Sequence, residues 1–294
     1  MEIMSAPGGP KSLAWAPLTP PGVAAFAGAS LGRLLFMQLI FALLAASAVV
    51  WFLKTAWFPS IDAAIHQLPA QGEIRDGKLS WPANSPELLA EGRFLAFSVD
   101  LEHEGQLRPP AHLQVEFGRN DIYFYSLLGY ERLNYPHDRV VGFNRSELEP
   151  KWGAWRPPIL WLTFGGVIAG LMTSWAALAT LYLLPVWLAG FFANRDLDFR
   201  ASWKLAGAAL MPGALLLTAA IFLYGSRALD LVQLAAAFAA HFAIGWIYLF
   251  AAPLFAPKLE AVAVTKENPF MAPPQESESA GAKKAEAGTP PPNS

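Results

Sequence analysis

Four long apolar runs, separated by charged stretches, organise the chain. The first run, Leu34–Leu53, carries no charge, and Gln38 is its one strongly polar side chain. Twenty helical residues at about 1.5 Å each cover about 30 Å, the thickness of the hydrocarbon core of a bilayer. The run therefore predicts a membrane-spanning helix, preceded by a short interfacial helix over Val23–Gly32. A cleaved signal peptide is the alternative, but its apolar core would be shorter and nearer the start.

The second run, Pro158–Ala193, is too long for one straight crossing. As a single helix its 36 uncharged residues would reach about 54 Å, and two helices would need polar turn residues that the run lacks. Pro185 bends a helix because it cannot donate a backbone hydrogen bond. The pattern predicts a spanning helix over Ile159–Leu184 and a bent continuation over Val186–Phe192 near the membrane interface.

The third and fourth runs are Leu205–Tyr224 and Leu231–Phe255. Pro212-Gly213 predicts a kink in the third. The connector between the two runs is very short, which predicts an antiparallel helical hairpin. The whole pattern predicts an α-helical membrane protein with four transmembrane helices: one over residues 34–53 and a three-helix bundle over residues 158–256.

Basic residues beside the runs predict the orientation, because Lys and Arg are enriched in cytoplasmic connections. With an even number of crossings, both termini lie on one side, together with the basic residues that flank the runs there. This predicts a multipass protein of the cell inner membrane, with cytoplasmic residues 1–33 and a disordered cytoplasmic tail over 257–294, rich in Pro, Ala, Glu and Ser. The flanking residues are Lys11, Arg33, Arg195, Arg200, Lys204, Lys258 and Lys266.

Residues 56–157 are rich in charge and alternate apolar and polar positions with the period of a β-strand. Asp76-Gly77 and the segment Gly118–Asp121 carry hairpin-turn residues, and Ser85-Pro86 predicts the start of a short helix over Glu87–Glu91. We expect a small antiparallel β-rich extracytoplasmic domain with five or six strands. Its strand faces are Leu95, Phe97, Val99 and Leu101; Leu113, Val115 and Phe117; and Ile122, Phe124, Ser126 and Leu128.

The order of these parts carries a family resemblance. One crossing is followed by a β domain with the hairpin IRDGKLSW, and then by three crossings with the connector FFANRDLDFRASWKLAGAALMPG. This layout resembles an uncharacterised bacterial family of multipass membrane proteins, a domain of unknown function, and is distantly similar to Yip1-type membrane bundles. The resemblance covers roughly residues 20–256 and implies the topology and a bacterial inner membrane. The family has no established catalytic residues, so the resemblance implies none here.

Gln38 and His241 are two polar side chains inside the apolar runs, and both are candidates for function. His241 lies in the fourth run, and an ionisable residue within a span is a functional hypothesis by default. A proton relay would want a charged partner, and the spanning segments contain no Asp, Glu, Lys or Arg. The alternative is a neutral histidine hydrogen-bonded across the bundle to Gln38, Thr218 or Tyr182.

Small residues in the second run predict close helix packing. Gly166 and Gly170 form a GxxxG pair, which lets two helix backbones approach each other. Packing within the chain is the first interpretation, and a homo-oligomer is the second.

No metal or cofactor is expected. Cysteine is absent, and the spacing of the histidines His66, His103, His112 and His137 matches no known metal site. Asp196 and Asp198 could hold a metal as a carboxylate pair. Carboxylates among basic residues more often pair with those residues, which also contact lipid headgroups.

The remaining signals favour contact over catalysis. The net charge of −2 gives no reason to expect nucleic acid, and no catalytic motif occurs. Tyr123 and Tyr125 lie opposite Phe124 on their strand, so the second sheet face needs cover from the membrane surface, another segment or a partner. We expect a non-enzymatic membrane accessory, sensing or assembly protein that acts through this domain on a protein partner. The alternatives are a transporter or transporter subunit, and a membrane enzyme acting on lipid or peptide.

Overall fold

The computed structural model describes residues 17–127 and 129–259, and this part of the chain is mostly helical. Four of its helical stretches are long and apolar enough to cross a membrane, judged by length and composition: Leu31–Gln67, Arg145–Phe192, Phe199–Gly225 and Leu231–Phe255. In chain order the helices are α1 (Pro20–Ala24), α2 (Leu31–Phe52), α3 (Phe58–Gln67), α4 (Arg145–Phe192), α5 (Phe199–Ala209), α6 (Met211–Gly225) and α7 (Leu231–Ala251).

The first candidate span continues beyond its predicted end. A π-helical turn, Leu53–Trp57, joins α2 directly to α3. Pro59 lies in the first turn of α3 and has no N–H to donate, so the regular α-helical hydrogen bonds are interrupted at this point. Residues 58–67, which the sequence assigned to the β domain, are therefore helical.

The second candidate span is one helix of 48 residues. The helix begins before the predicted span, because α4 already starts at Arg145. Asn144 caps the helix by accepting a hydrogen bond from the Glu147 amide at 3.0 Å. Two ion pairs follow in the first turns, and each joins two residues that are four positions apart in the sequence. At about 1.5 Å per residue α4 is about 72 Å long, more than twice the hydrocarbon thickness of a bilayer. Its charged first turns therefore extend beyond any membrane that the apolar part crosses.

The third candidate span breaks where the sequence predicted a kink. α5 ends at Ala209 and α6 begins at Met211, with Pro212 in its first turn. The predicted hairpin of the last two spans is confirmed, because α6 and α7 pack together as neighbours. At the start of α7, Asp230 and Gln233 each accept a hydrogen bond from the other's backbone amide, an arrangement that fixes the beginning of the helix.

The N-terminal segment packs into the helical bundle. The predicted interfacial helix over Val23–Gly32 is wrong, since α1 is only five residues long and both Val23 and Phe26 are fully buried. The bundle core also takes residues from α2, α4, α5, α6 and α7: Leu34, Phe41, Trp175, Val186, Leu205, Met211 and Leu249.

The β domain contains two sheets. One has the strand order β2-β1-β8 and the other the order β3-β4-β5-β6-β7. All pairs are antiparallel except β4 and β5, which run parallel because segment 100–112 returns to the start of the sheet before β5 begins. The strands are β1 (Glu73–Arg75), β2 (Lys78–Ser80), β3 (Glu87–Ala90), β4 (Leu95–Val99), β5 (Leu113–Phe117), β6 (Asp121–Ser126), β7 (Gly129–Asn134) and β8 (Val141–Gly142).

Both predicted hairpin turns are confirmed, but the strand count is too low. Asp76 and Gly77 have φ of 50° and 72°, the left-handed conformation that a two-residue turn between antiparallel strands requires. The predicted helix over Glu87–Glu91 is wrong, because β3 occupies these residues and pairs with β4. The strands β7 and β8 were not predicted. The predicted tail from residue 260 onward, and Leu128 in the third strand face, lie outside the described residues.

The helices α3 and α4 hold the β domain beside the bundle. Ala64 and Leu68 of the α3 end join the apolar core of the domain, together with Ile74, Leu89, Val99 and Phe143. On the other side of α3, Asp62 accepts a hydrogen bond from Trp152 Nε1 of α4 at 2.6 Å and pairs with the Arg156 guanidinium. The two helices that leave the apolar spans therefore form a joint support for the strands.

Candidate functional site

The most exposed regular element of the β domain is β7. All six of its residues are exposed, and it lies at the end of the five-stranded sheet with β6 as its one neighbour among the described strands. The opposite end of the same sheet, β3, is covered by α3. We call the uncovered side of β7 the free edge.

The alternating hydrogen-bond pattern between β6 and β7 shows which backbone groups of β7 point toward the free edge. The Gly118 amide donates to the Asp121 carbonyl at 2.9 Å and the Tyr135 amide donates to the Asn120 carbonyl at 3.3 Å. Antiparallel strands alternate between hydrogen-bonded and non-hydrogen-bonded pairs, so the even-numbered residues of β6 bond to odd-numbered residues of β7. The N–H and C=O groups of Tyr130, Arg132 and Asn134 consequently point toward the free edge.

The predicted contact residues Tyr123 and Tyr125 lie on β6, next to this edge, and both are half-buried. The Tyr123 ring stacks on His103 with centroids 4.1 Å apart, and Tyr125 stacks on Tyr130 with centroids 6.1 Å apart. Partial burial raises the pKa of both phenols, so they stay neutral at physiological pH. The ring that faces solvent is Tyr130, which is 67% exposed.

Segment 100–112 packs over part of the sheet face that carries Tyr123 and Tyr125, the face that the sequence predicted to need cover. Its His103 contacts Glu116 through Nδ1 at 2.5 Å, and its Leu107 carbonyl accepts a hydrogen bond from Gln114 Nε2 at 3.0 Å. Glu116 is a carboxylate that is only 2% exposed, and burial of such a charge requires a partner. His103, which pairs with Glu116 and stacks on Tyr123, therefore holds segment 100–112 against this face of the sheet.

A small cavity of about 120 Å³ opens beside Tyr125, between segment 100–112 and the sheet. Arg108 lines one part of it and Glu116 another. Its lining comes from segment 100–112, β5 and β6, so the Tyr125 face of the sheet presents both signs of charge there.

The two polar candidates of the apolar runs, Gln38 and His241, have separate hydrogen-bond partners. Gln38 is buried and donates from Nε2 to the Gly207 carbonyl at 3.1 Å. His241 bonds through Nδ1 to the Phe238 carbonyl of its own helix, so the predicted hydrogen bond across the bundle is wrong. The imidazole lines an apolar cavity of about 390 Å³, together with Thr218, Tyr182, Ser174 and Trp246.

The glycine pair of α4 does not lie in a close helix contact. A Cβ atom added at Gly166 or Gly170 would meet no atom within 4 Å. Close packing within the chain, the first interpretation of this motif, is therefore wrong for the described residues. The close contact is instead made by Gly213 of α6, where an added Cβ would lie 2.4 Å from the His241 carbonyl oxygen.

The histidines and aspartates that the sequence analysis weighed as metal ligands form no cluster of three or more among the described residues. Within residues 17–127 and 129–259, no three His, Asp or Glu side chains converge on a common point. Asp198 caps α5 by accepting a hydrogen bond from the Ala201 amide at 2.6 Å instead of pairing with a neighbouring arginine.

A second cluster connects the β domain to the end of the bundle. Phe94, which is 6% exposed, packs against Phe52 and Tyr224 with centroids 5.3 Å and 4.9 Å away. His112 Nδ1 lies 2.5 Å from the Tyr224 hydroxyl, and Arg93 Nη2 donates to the Leu229 carbonyl at 3.2 Å. We call these residues the docking cluster.

The docking cluster predicts a pH dependence. Burial and the nearby Arg93 lower the pKa of His112, against a smaller opposing effect of Asp230. Its folded pKa is therefore below the unfolded value of about 6.5, so folding disfavours the proton and stability falls as pH drops below that value. We expect the melting temperature to fall between pH 7.5 and 5.5, and to fall less in His112→Gln. An equal fall in both proteins would contradict the prediction.

No protein-family model, curated protein or solved structure matches the chain.

Proposed function

We propose that this chain is a non-enzymatic membrane accessory, sensing or assembly protein of the bacterial inner membrane, in which the β domain is extracytoplasmic and binds a protein partner. The observation that carries the proposal is the free edge of β7. Strand addition is a common form of peptide recognition, in which an extended segment of the partner forms main-chain hydrogen bonds with an uncovered strand. The resemblance to a multipass membrane family agrees with this placement.

The side chains around the edge supply specificity for such a partner. Successive partner residues would lie alternately on the two sheet faces. On one face they would meet Tyr130 and Arg132; on the other they would meet Leu133, which is 57% exposed. Arg132 Nη1 lies 4.0 Å from Asp121 Oδ2, so its guanidinium keeps donors available for a partner carboxylate. The preferred segment is extended, with apolar and acidic residues.

A proline substitution at residue 132 tests how much the main-chain hydrogen bonds of the free edge contribute to partner binding. The Arg132 N–H points to the free edge, so Arg132→Pro keeps the hydrogen bonds to β6 and is tolerated as an edge-strand proline. We expect partner binding at least tenfold weaker in Arg132→Pro and only a few-fold weaker in Arg132→Ala, which keeps the N–H. A photo-crosslinking residue at Tyr130 should give a discrete adduct in native membranes that Arg132→Pro removes.

Two controls accompany this experiment. A crosslinker at Lys78, exposed on the other sheet, should give no such adduct, and circular dichroism should show that Arg132→Pro is folded. An unchanged adduct in the folded proline variant would exclude strand addition. If His241→Ala also abolished function, the apolar cavity would be the site and a transporter subunit the better proposal.

A further inference from the structure

Four cationic side chains gather at one end of the bundle without a carboxylate partner. Arg33 lies in the first turn of α2, Arg195 follows α4, and Arg200 and Lys204 lie on α5. None forms an ion pair with an acid among the described residues, although Asp196 and Asp198 are close in sequence. Arg195 instead donates to the Ala256 carbonyl at 2.8 Å, and Lys204 donates to the Ala29 carbonyl at 2.8 Å. Within residues 17–127 and 129–259, these four cations are therefore not neutralised by ion pairs.

Two of these cations line a cavity of about 600 Å³ between α2, α4 and α5. Arg200 is exposed and Lys204 is half-buried, so both guanidinium and ammonium groups can reach an anion in the cavity. The other walls are apolar and come from the ends of the candidate spans: Leu31, Leu183, Phe199 and Trp203. The cavity thus combines a cationic part with an apolar part.

The N-terminus of α2 adds backbone donors to the same cavity. Ser30 caps this helix by accepting a hydrogen bond from the Arg33 amide at 3.3 Å. The amides of Leu31 and Gly32 have no acceptor among the described residues, and such first-turn amides favour an anion.

We infer that this cavity binds the phosphate headgroup of an anionic phospholipid. Arg200, Lys204 and the first-turn amides of α2 contact the phosphate, and the apolar walls receive the glycerol and the start of the acyl chains. Charge complementarity selects an anionic over a zwitterionic headgroup. The inference rests on the membrane placement of the four helices and is independent of the partner proposed for β7.

Lipid binding to the full-length purified protein tests the inference. Native mass spectrometry would compare phosphatidylglycerol with phosphatidylcholine of the same acyl chains, and inorganic phosphate alone. We expect tighter binding of phosphatidylglycerol. Arg200→Gln, at an exposed position, should weaken that binding about fivefold, and addition of Lys204→Gln should weaken it about 25-fold, since each cation near an anionic surface contributes a similar factor. Lys204→Arg should retain binding.

The matched control is Lys54→Gln, which removes an exposed lysine just beyond the C-terminal end of α2 and should leave lipid binding unchanged. Equal affinity for the two lipids, equal loss in Lys54→Gln, or unchanged binding in Arg200→Gln would each overturn the inference. Binding of inorganic phosphate as tight as that of the lipid would overturn the lipid assignment, because the apolar walls would then contribute nothing.

Discussion

Gly213→Ala is expected to lower the stability of the helical bundle by about 1–3 kcal/mol, the usual cost of overpacking a close contact. The added methyl carbon would lie 2.4 Å from the His241 carbonyl oxygen of α7. That oxygen belongs to the helix backbone and cannot turn aside as a flexible side chain can. The two helices of the hairpin must therefore separate, and the contacts along both helices weaken together.

Gly166→Ala and Gly170→Ala are the matched controls. Both add the same methyl group to a helical glycine, but into open space, so each change should lie within about 0.5 kcal/mol of the wild type. Thermal unfolding of the three variants in one detergent measures the difference. If Gly166→Ala or Gly170→Ala were the more destabilising change, the glycine pair would be packed against a second copy, as the homo-oligomer interpretation of the sequence holds.

This contrast shows which part of the helix packing a sequence can predict. The apolar runs predicted four candidate spans, because a helix that is buried in the bundle or surrounded by lipid must be long and uncharged. The GxxxG motif describes a surface that could accept a neighbour, but the path of the chain decides whether one is there. Gly213 was predicted only as part of a kink, and nothing in its local sequence distinguishes a contact at 2.4 Å from open space.

The strand predictions failed in two different ways. Local signals at Ser85-Pro86 indicated a helix, but pairing with β4 determined the conformation of Glu87–Ala90, a tertiary effect that outweighs propensity. The strand β7 was missed because all of its residues are exposed, and a strand without a buried face has no apolar alternation. The element that carries the proposed function was therefore the one with the weakest sequence signal.

The long helix α4 was missed at its start for an electrostatic reason. Its first turns are charged and rich in proline, which resembles a loop when only hydropathy is considered. The Asn144 cap and the helical ion pairs Arg145–Glu149 and Glu147–Lys151 stabilise these turns. The sequence predicted that the sheet face with Tyr123 must be covered. It could not show that segment 100–112, and not a partner, covers this face, because that depends on the three-dimensional path of the segment.

Phe94→Ala is expected to have the largest effect of any single change discussed for this chain, about 3–5 kcal/mol, the usual cost of truncating a buried phenylalanine. Phe94 precedes β4 and contacts Phe52 of α2 and Tyr224 of α6. Its loss would open a gap between the β domain and the bundle. Because Arg93 and His112 also contact the end of α6 and the connector after it, the remaining docking contacts should loosen with it.

Hydrogen–deuterium exchange of the full-length protein distinguishes loss of docking from general unfolding. In Phe94→Ala, exchange should rise in residues 93–101 and 222–230 while the β1–β2 hairpin, which lies in the other sheet, stays protected. Tyr224→Phe keeps the ring and removes only the hydroxyl near His112, so its effect should be about 1 kcal/mol. Phe238→Ala, at a residue 53% exposed, should change neither region. Equal loss of protection in both sheets would mean that Phe94 supports the β fold itself, and the α3–α4 support at Asp62 would then be the main connection between the β domain and the spans.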